Sequence, residues 1–238
     1  MSLDYDTYVA QLANLMVDVS TGANFQTFLP GCIDYAEQRM YRELDLQVTR
    51  ISDTSTTLSS GVRSVSLPTA SGTFVVIEQF NVWNSTTATS STATRVPLTP
   101  VTKEFMDFAW PTAGSYTGVP VYYAPLNNTT YYLGPAPDAG YTLEVVGTIR
   151  PTPLSSGNSS TFLTTYLPDV FMAASMIFAS AYMRDFGAQS DNAQMSGSWE
   201  KQYETLMQSA NSEELRKRFA GQAWQAMTPN TIATPPRN

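Results

Sequence analysis

The chain has no histidine and a single cysteine, Cys32. Without a second thiol no internal disulfide or Cys-rich zinc site can form, and without imidazole the His-based triads, metal triads and proton shuttles are excluded. Lysine is scarce as well. Lys103, Lys201 and Lys217 accompany ten arginines, and twenty acidic residues leave a formal charge of −7. A protein that grips nucleic acid through counterion release needs the opposite balance, so specific DNA or RNA binding is not expected. Long apolar runs are missing: the longest uncharged one, VFMAASMIFASAYM, covers 14 residues over 170–183. A bilayer span needs about 20, so no membrane segment is predicted. MSLDYDTYVA lacks a basic start followed by an apolar core, so no signal peptide is expected and synthesis in a cytoplasm follows. The spacings of a Walker loop, a dinucleotide-binding turn, a nucleophile elbow and an EF-hand are all absent. No catalytic, cofactor-binding or metal-binding residue is therefore assigned.

What is present divides into helices, strands and helices again. Tyr5, Tyr8, Val9, Leu12, Leu15, Met16 and Val19 recur at helical spacing, with Ser2 and Asp4 placed to cap. After the break at 20–24 a second helix is predicted to begin between Phe25 and Pro30, with Pro30 in its first turn, and to end near Asp45. Its apolar face reads Phe28, Cys32 or Ile33, Ala36, Met40 and Leu44, while Glu37, Arg39, Arg42 and Glu43 are placed on the solvent side. From Gln47 onward Thr, Ser and Val alternate between frequent turns, giving strand candidates at 48–53, 62–68, 74–83, 94–100, 120–126, 129–135 and 141–151. Residues 103–109 fit one or two helical turns. Helical periodicity returns in LPDVFMAASMIFASAYMRDF, which opens on Pro168 and Asp169 and is apolar nearly all round, as a helix buried among others should be. Gly187 and Ser190 permit a turn before a last helix through Trp199, Tyr203, Leu206 and Ala210 to Arg216, Lys217 and Arg218. Beyond Gly221 the chain has Trp224, Met227 and three prolines, and reads as an extended tail.

The expected fold is therefore α+β: a helical bundle formed by both chain ends, an inserted antiparallel β sandwich or barrel-like domain, and an extended C-terminal tail. The boundaries are 1–46 and 160–219 for the helical domain, 47–159 for the β domain and 220–238 for the tail. The turn PAPDAG, 135–140, removes two N–H donors and leads into a strand, so it reads as a hairpin corner rather than a phosphate cradle, with Gly140 absorbing a positive φ. Asp4 with Asp6 and Glu213 with Glu214 read as helix-start or exposed carboxylates, and the sequons at Asn84, Asn128 and Asn158 as polar loops. Of the paired tyrosines at 122–123 and 131–132, half should face the core.

Four segments in order carry a resemblance: FLPGCIDYAEQRMYRELDL, with Leu29, Pro30, Ala36, Glu37, Arg42, Glu43 and Leu44; YYLGPAPDAG; YTLEVVGTIRPTPLS; and FLTTYLPDVFMAASMIFASAYMRD, followed by a closing helix in WEKQYETLMQSANSEELRKRFAG. Together they look like the head-to-tail connector (adaptor) proteins of tailed bacteriophages, of the short-tailed type, over about residues 5–221. The resemblance implies a structural protein of the virion neck, without enzymatic activity or cofactor. It implies a homo-oligomeric ring, usually dodecameric, between a portal protein and a tail or nozzle protein, through which DNA passes without specific binding. On that footing Phe219, Trp224, Met227, Pro229, Pro235 and Pro236 are the expected portal contacts, and Glu37, Arg39, Arg42 and Arg184 the expected contacts between protomers. The competing reading is a β-rich tail-fibre or receptor-binding module that stacks a glycan on its tyrosines, against which the helical framing at both ends argues.

Overall fold

The computed structural model describes residues 3–16, 18, 20–85, 93–112, 116–183 and 192–221, the side chains of 181–183, 192–196 and 219–221 excepted. The chain divides into two compact units, one made of 1–47 with 153–238 and the other of 48–152.

In the first unit, α1 (Tyr5–Met16) starts from a reciprocal cap: Asp4 Oδ1 accepts the Thr7 N–H at 2.8 Å, and the Asp4 N–H donates to Thr7 Oγ1 at 2.9 Å. Hydrogen bonding from Thr7 holds the Asp4 carboxyl below its ordinary range. Tyr8, Val9, Leu12, Ala13 and Met16 form the buried arc. Leu15, expected inside, is 42% exposed, because it sits about a quarter turn from the centre of that arc. Ser2 and Val19 lie outside the described residues.

The second helix, α2 (Ala23–Glu43), starts earlier than the sequence predicts, and Pro30 lies inside it rather than in its first turn. Pro30 and Gln26, whose carbonyl loses its usual donor, both lie on the exposed side of the helix, where the cost of the lost bond is smallest. The short α4 (Phe162–Tyr166), which the strand-to-helix reading passed over, is fixed by a capping box between Thr161 and Thr164. Directly after it, α5 (Pro168–Met183) packs against α1, α2, α4 and α6 (Asn192–Gly221). It can be covered on every side because Ala173, Ala174, Ser175 and Ala179 keep its girth small. Its polar atoms are satisfied: the fully buried Tyr8 donates to Ser175 Oγ at 2.8 Å, which donates to the Phe171 carbonyl at 2.8 Å. Cys32 is buried beside this chain of bonds, and burial pushes its thiol up to about 11, so it is an inert core residue.

The second unit is two packed sheets. The first has strand order β1-β8-β3-β4, with β1 at Arg50–Thr57, β3 at Thr73–Trp83, β4 at Arg95–Pro97 and β8 at Thr142–Arg150. The second has order β2-β7-β6-β5, with β2 at Ser64–Ser66, β5 at Thr99–Pro100, β6 at Tyr122–Pro125 and β7 at Thr130–Gly134. All pairs are antiparallel except β5 with β6. Phe80 of β3 crosses the interior to Tyr123 and Tyr131, with ring centroids 4.7 and 4.9 Å apart, and Leu133, Leu143, Val145 and Ile149 fill the remainder. On the opposite side of the first sheet Glu144 accepts from Ser52 Oγ at 2.6 Å, Asn81 Nδ2 at 3.1 Å and Arg95 Nε at 2.6 Å. One carboxylate thereby ties together all four strands.

PAPDAG is not a hairpin corner. β7 pairs with β2 and β6, whereas β8 pairs with β1 and β3, so the loop carries the chain from one sheet to the other. Its carbonyls are held from outside: Pro137 O accepts from Gly61 N at 2.7 Å, Asp138 O from Ser60 Oγ at 3.0 Å and Ala136 O from Gly118 N at 2.8 Å. Asp138 Oδ1 also accepts the Tyr141 hydroxyl at 2.6 Å. The left-handed conformation expected at Gly140 belongs to its neighbour across the corner, Gly61, with φ +73°.

Candidate functional site

In the first unit, Arg39 is the centre of a charged seam between α2 and α6. Its two Nη atoms reach Glu200 at 2.9 and 2.5 Å, its Nε reaches Glu43 at 3.0 Å, and its guanidinium lies 4.3 Å from the centroid of the Tyr203 ring. Tyr203 in turn donates to Glu43 at 2.9 Å. A bidentate pair stacked on an aromatic ring is among the stronger surface arrangements, and the carboxylates, Glu200 first, raise the guanidinium pKa while Arg39 lowers that of Glu200. Lower on the same helices, Arg218 donates to the Asp45 carbonyl at 2.7 Å, and the buried Glu214 accepts from the Gln47 N–H at 3.3 Å and from Lys217 at 2.7 Å. The end of α6 is thus fastened to the segment that follows α2.

Of the four residues expected between protomers, the structure places Glu37, Arg39 and Arg42 on one helix without bringing them to one face. Glu37 is 5% exposed, not on the solvent side, and accepts the Leu154 N–H at 2.9 Å. Its position explains this: Ile33, Glu37, Met40 and Leu44 are spaced four, three and four residues apart and share a stripe. Glu214 corrects the exposed reading in the same way, since it continues the stripe of Tyr203, Met207 and Ala210. Arg42 is exposed and donates from Nε to the Gln38 carbonyl. Arg184 lies outside the described residues, as do Trp224, Met227, Pro229, Pro235 and Pro236; Phe219 is described only as backbone within α6.

The second unit holds a surface that the sequence reading did not single out. Thr102 caps α3 (Lys103–Ala109), whose buried Met106 rests on the notch left by Gly134, where an added Cβ would stand 2.8 Å from Met106 and 2.7 Å from the Trp110 ring. Arg63 fastens the helix by donating to Asp107 at 2.8 Å and to the Trp110 carbonyl at 3.2 Å while stacking on Tyr132 at 4.6 Å. Phe105, Trp110 and Tyr122 form a cluster with centroids 5.8 to 6.2 Å apart, and beside it Phe108 is 86% exposed. With Phe105 45% exposed as well, the helix presents adjoining aromatic side chains to water, and apolar patches of this kind mark interaction surfaces. The available signal was the i, i+3 spacing of Phe105 and Phe108. Among the described residues no cluster of three or more metal-ligating side chains occurs, and no helix is long and apolar enough to cross a membrane.

The sequence pattern of one protein family, described as SU10 adaptor protein, matches residues 3–232 of the chain. The chain belongs to that family. The match spans both units, and it makes the protein a phage adaptor and a component of the virion. A search of the curated proteins finds no match. For an adaptor the relevant geometry is that of surfaces rather than pockets, and among the described residues the α3 aromatic cluster is such a surface.

Proposed function

We propose that this adaptor forms a ring at the virion neck, joining the portal to the tail and continuing the DNA channel between them. The observation that carries the reading is the family match over nearly the whole chain. The helical unit and the C-terminal segment bind the portal, with Phe219, Trp224, Met227, Pro229, Pro235 and Pro236 as its contacts; the β unit meets the tail or nozzle protein. A segment rich in proline and carrying Trp224 is suited to ordering on a partner, with the indole as anchor. Arg42 and Arg184 are the contacts we assign between helical units, while Glu37 and Arg39 act indirectly by fixing α2.

The ring is usually dodecameric in the resembling connectors, and we assign the same state here. DNA passes without specific binding, because acidic side chains line the channel and repel the phosphates. The protein is made in the host cytoplasm and has no catalytic role. Removing residues 223–238 tests the assignment of the tail: the truncated protein is expected to keep its helical circular-dichroism signal and to lose portal docking in a pull-down. Docking and particle assembly at the full-length level would refute it.

A further inference from the structure

The β unit leaves two apolar surfaces outside its own core, on opposite faces of the sandwich. Tyr123, Tyr131 and Leu133 point inward, so Tyr122, Tyr132 and Gly134 lie on the outer face of the second sheet, where α3 sits with Phe105 and Phe108. On the first sheet Ile149 points inward and its neighbour Thr148 outward, so Val76, which pairs with Thr148, faces away from the core. Val75 is the extra residue of a bulge there, and Val75 and Val76 are 53% and 54% exposed. Each surface carries one charge without an ion pair, and the two are of opposite sign. Next to Phe105, Asp107 pairs with both Lys103 and Arg63, and Glu104 is exposed; at the valine surface Arg50 pairs with Glu78, and Arg150 stands opposite Thr73. Neither Glu104 nor Arg150 is in an ion pair among the described residues.

We propose that neighbouring copies of this chain meet through these two surfaces, Phe108 of one β unit against Val75 and Val76 of the next, with Glu104 facing Arg150 at the rim. The proposal rests on the ring reading above and names the contact that closes it. Because the two surfaces differ, each copy uses both, and the contact passes from copy to copy instead of ending at a pair, as a ring requires. Charge permits the approach: residues 48–152 hold six acids and five bases, whereas 1–47 with 153–238 hold fourteen acids and eight bases, so β units meet with little repulsion. The apolar anchor is pre-positioned by Arg63, Asp107 and Met106, so little ordering is lost on contact.

The test is a full-length chain carrying both Phe108→Cys and Val76→Cys, oxidised as purified protein and in assembled particles, with each single variant beside it. Cys32 is buried and gives little background. The expected result is a ladder of crosslinked multimers extending past the dimer from the double variant and none from either single one. A second variant, Phe108→Asp, alters a side chain that is almost wholly exposed; it should leave the melting temperature unchanged and lower the yield of multimer about tenfold. If particles contain multimers of the chain but the double variant gives no ladder, this contact is wrong and the ring stands. If Phe108→Cys alone gives a dimer, the contact is symmetric and the head-to-tail arrangement is overturned. If particles contain no multimer of the chain, the ring reading fails and this contact with it.

Discussion

Glu37 places a carboxylate inside the helical unit, where the Leu154 N–H is its hydrogen-bond donor among the described residues. Burial pushes the group from an ordinary 4.5 up to about 7, with Asp34 adding to the rise and the Leu154 bond opposing it. Below pH 4.5 folded and unfolded chains are both protonated at this site. Between 4.5 and 7 the unfolded chain gives up a proton that the folded chain retains, so the contribution of Glu37 to stability falls as pH rises and levels off above 7. The fall amounts to at most about 3 kcal/mol. Glu37→Gln keeps the acceptor and removes the charge. Urea denaturation should therefore find the variant more stable than the parent above pH 7, by roughly 1–3 kcal/mol, and about equal to it below 4.5; equal stability throughout would show that the group is not desolvated. This site was legible in the sequence but misread. The spacing of 33, 37, 40 and 44 puts Glu37 on the apolar stripe while its charge argues for the solvent side, and the same conflict holds at Glu214.

At the scale of elements, local patterns identified strands and helices well because alternation and helical periodicity are local. Strand candidates at 74–83, 129–135 and 141–151 became β3, β7 and β8. Pairing is not local, and it does not follow from these patterns. The short turn between β7 and β8 looked like a hairpin, whereas the inward side chains of each strand seat it in a different sheet and the corner is held by the distant Ser60, Gly61 and Gly118. The α3 surface escaped for the same reason, since nothing near residue 106 in the sequence announces that Gly134 will make room for it. Gly134→Ala tests that fit. The fully buried Met106 and the Trp110 ring must both shift, so the variant is expected to lose about 1–3 kcal/mol and to alter the near-UV circular dichroism of the β unit. A spectrum and melting temperature identical to the parent would mean that α3 does not depend on the notch.

Across the whole molecule, charge is divided unequally. The unit made of both chain ends carries an excess of six acids and the β unit an excess of one, although the two together are what the family match spans. On the ring reading proposed above, the excess on the helical unit would supply the repulsion, and the near-neutral β unit would be free to make apolar contacts. The framing of a β region by helices was readable from composition and periodicity. Partner surfaces were less so, because an exposed Phe108 and a buried phenylalanine are the same letter until the fold separates them. The most direct measurement is a cryo-EM map of the neck of particles that contain this protein. The expected map shows a closed ring of this chain between portal and tail, with a lumen of negative potential. A chain located in a fibre or at the tail tip, or a ring with a positive lumen, would contradict it.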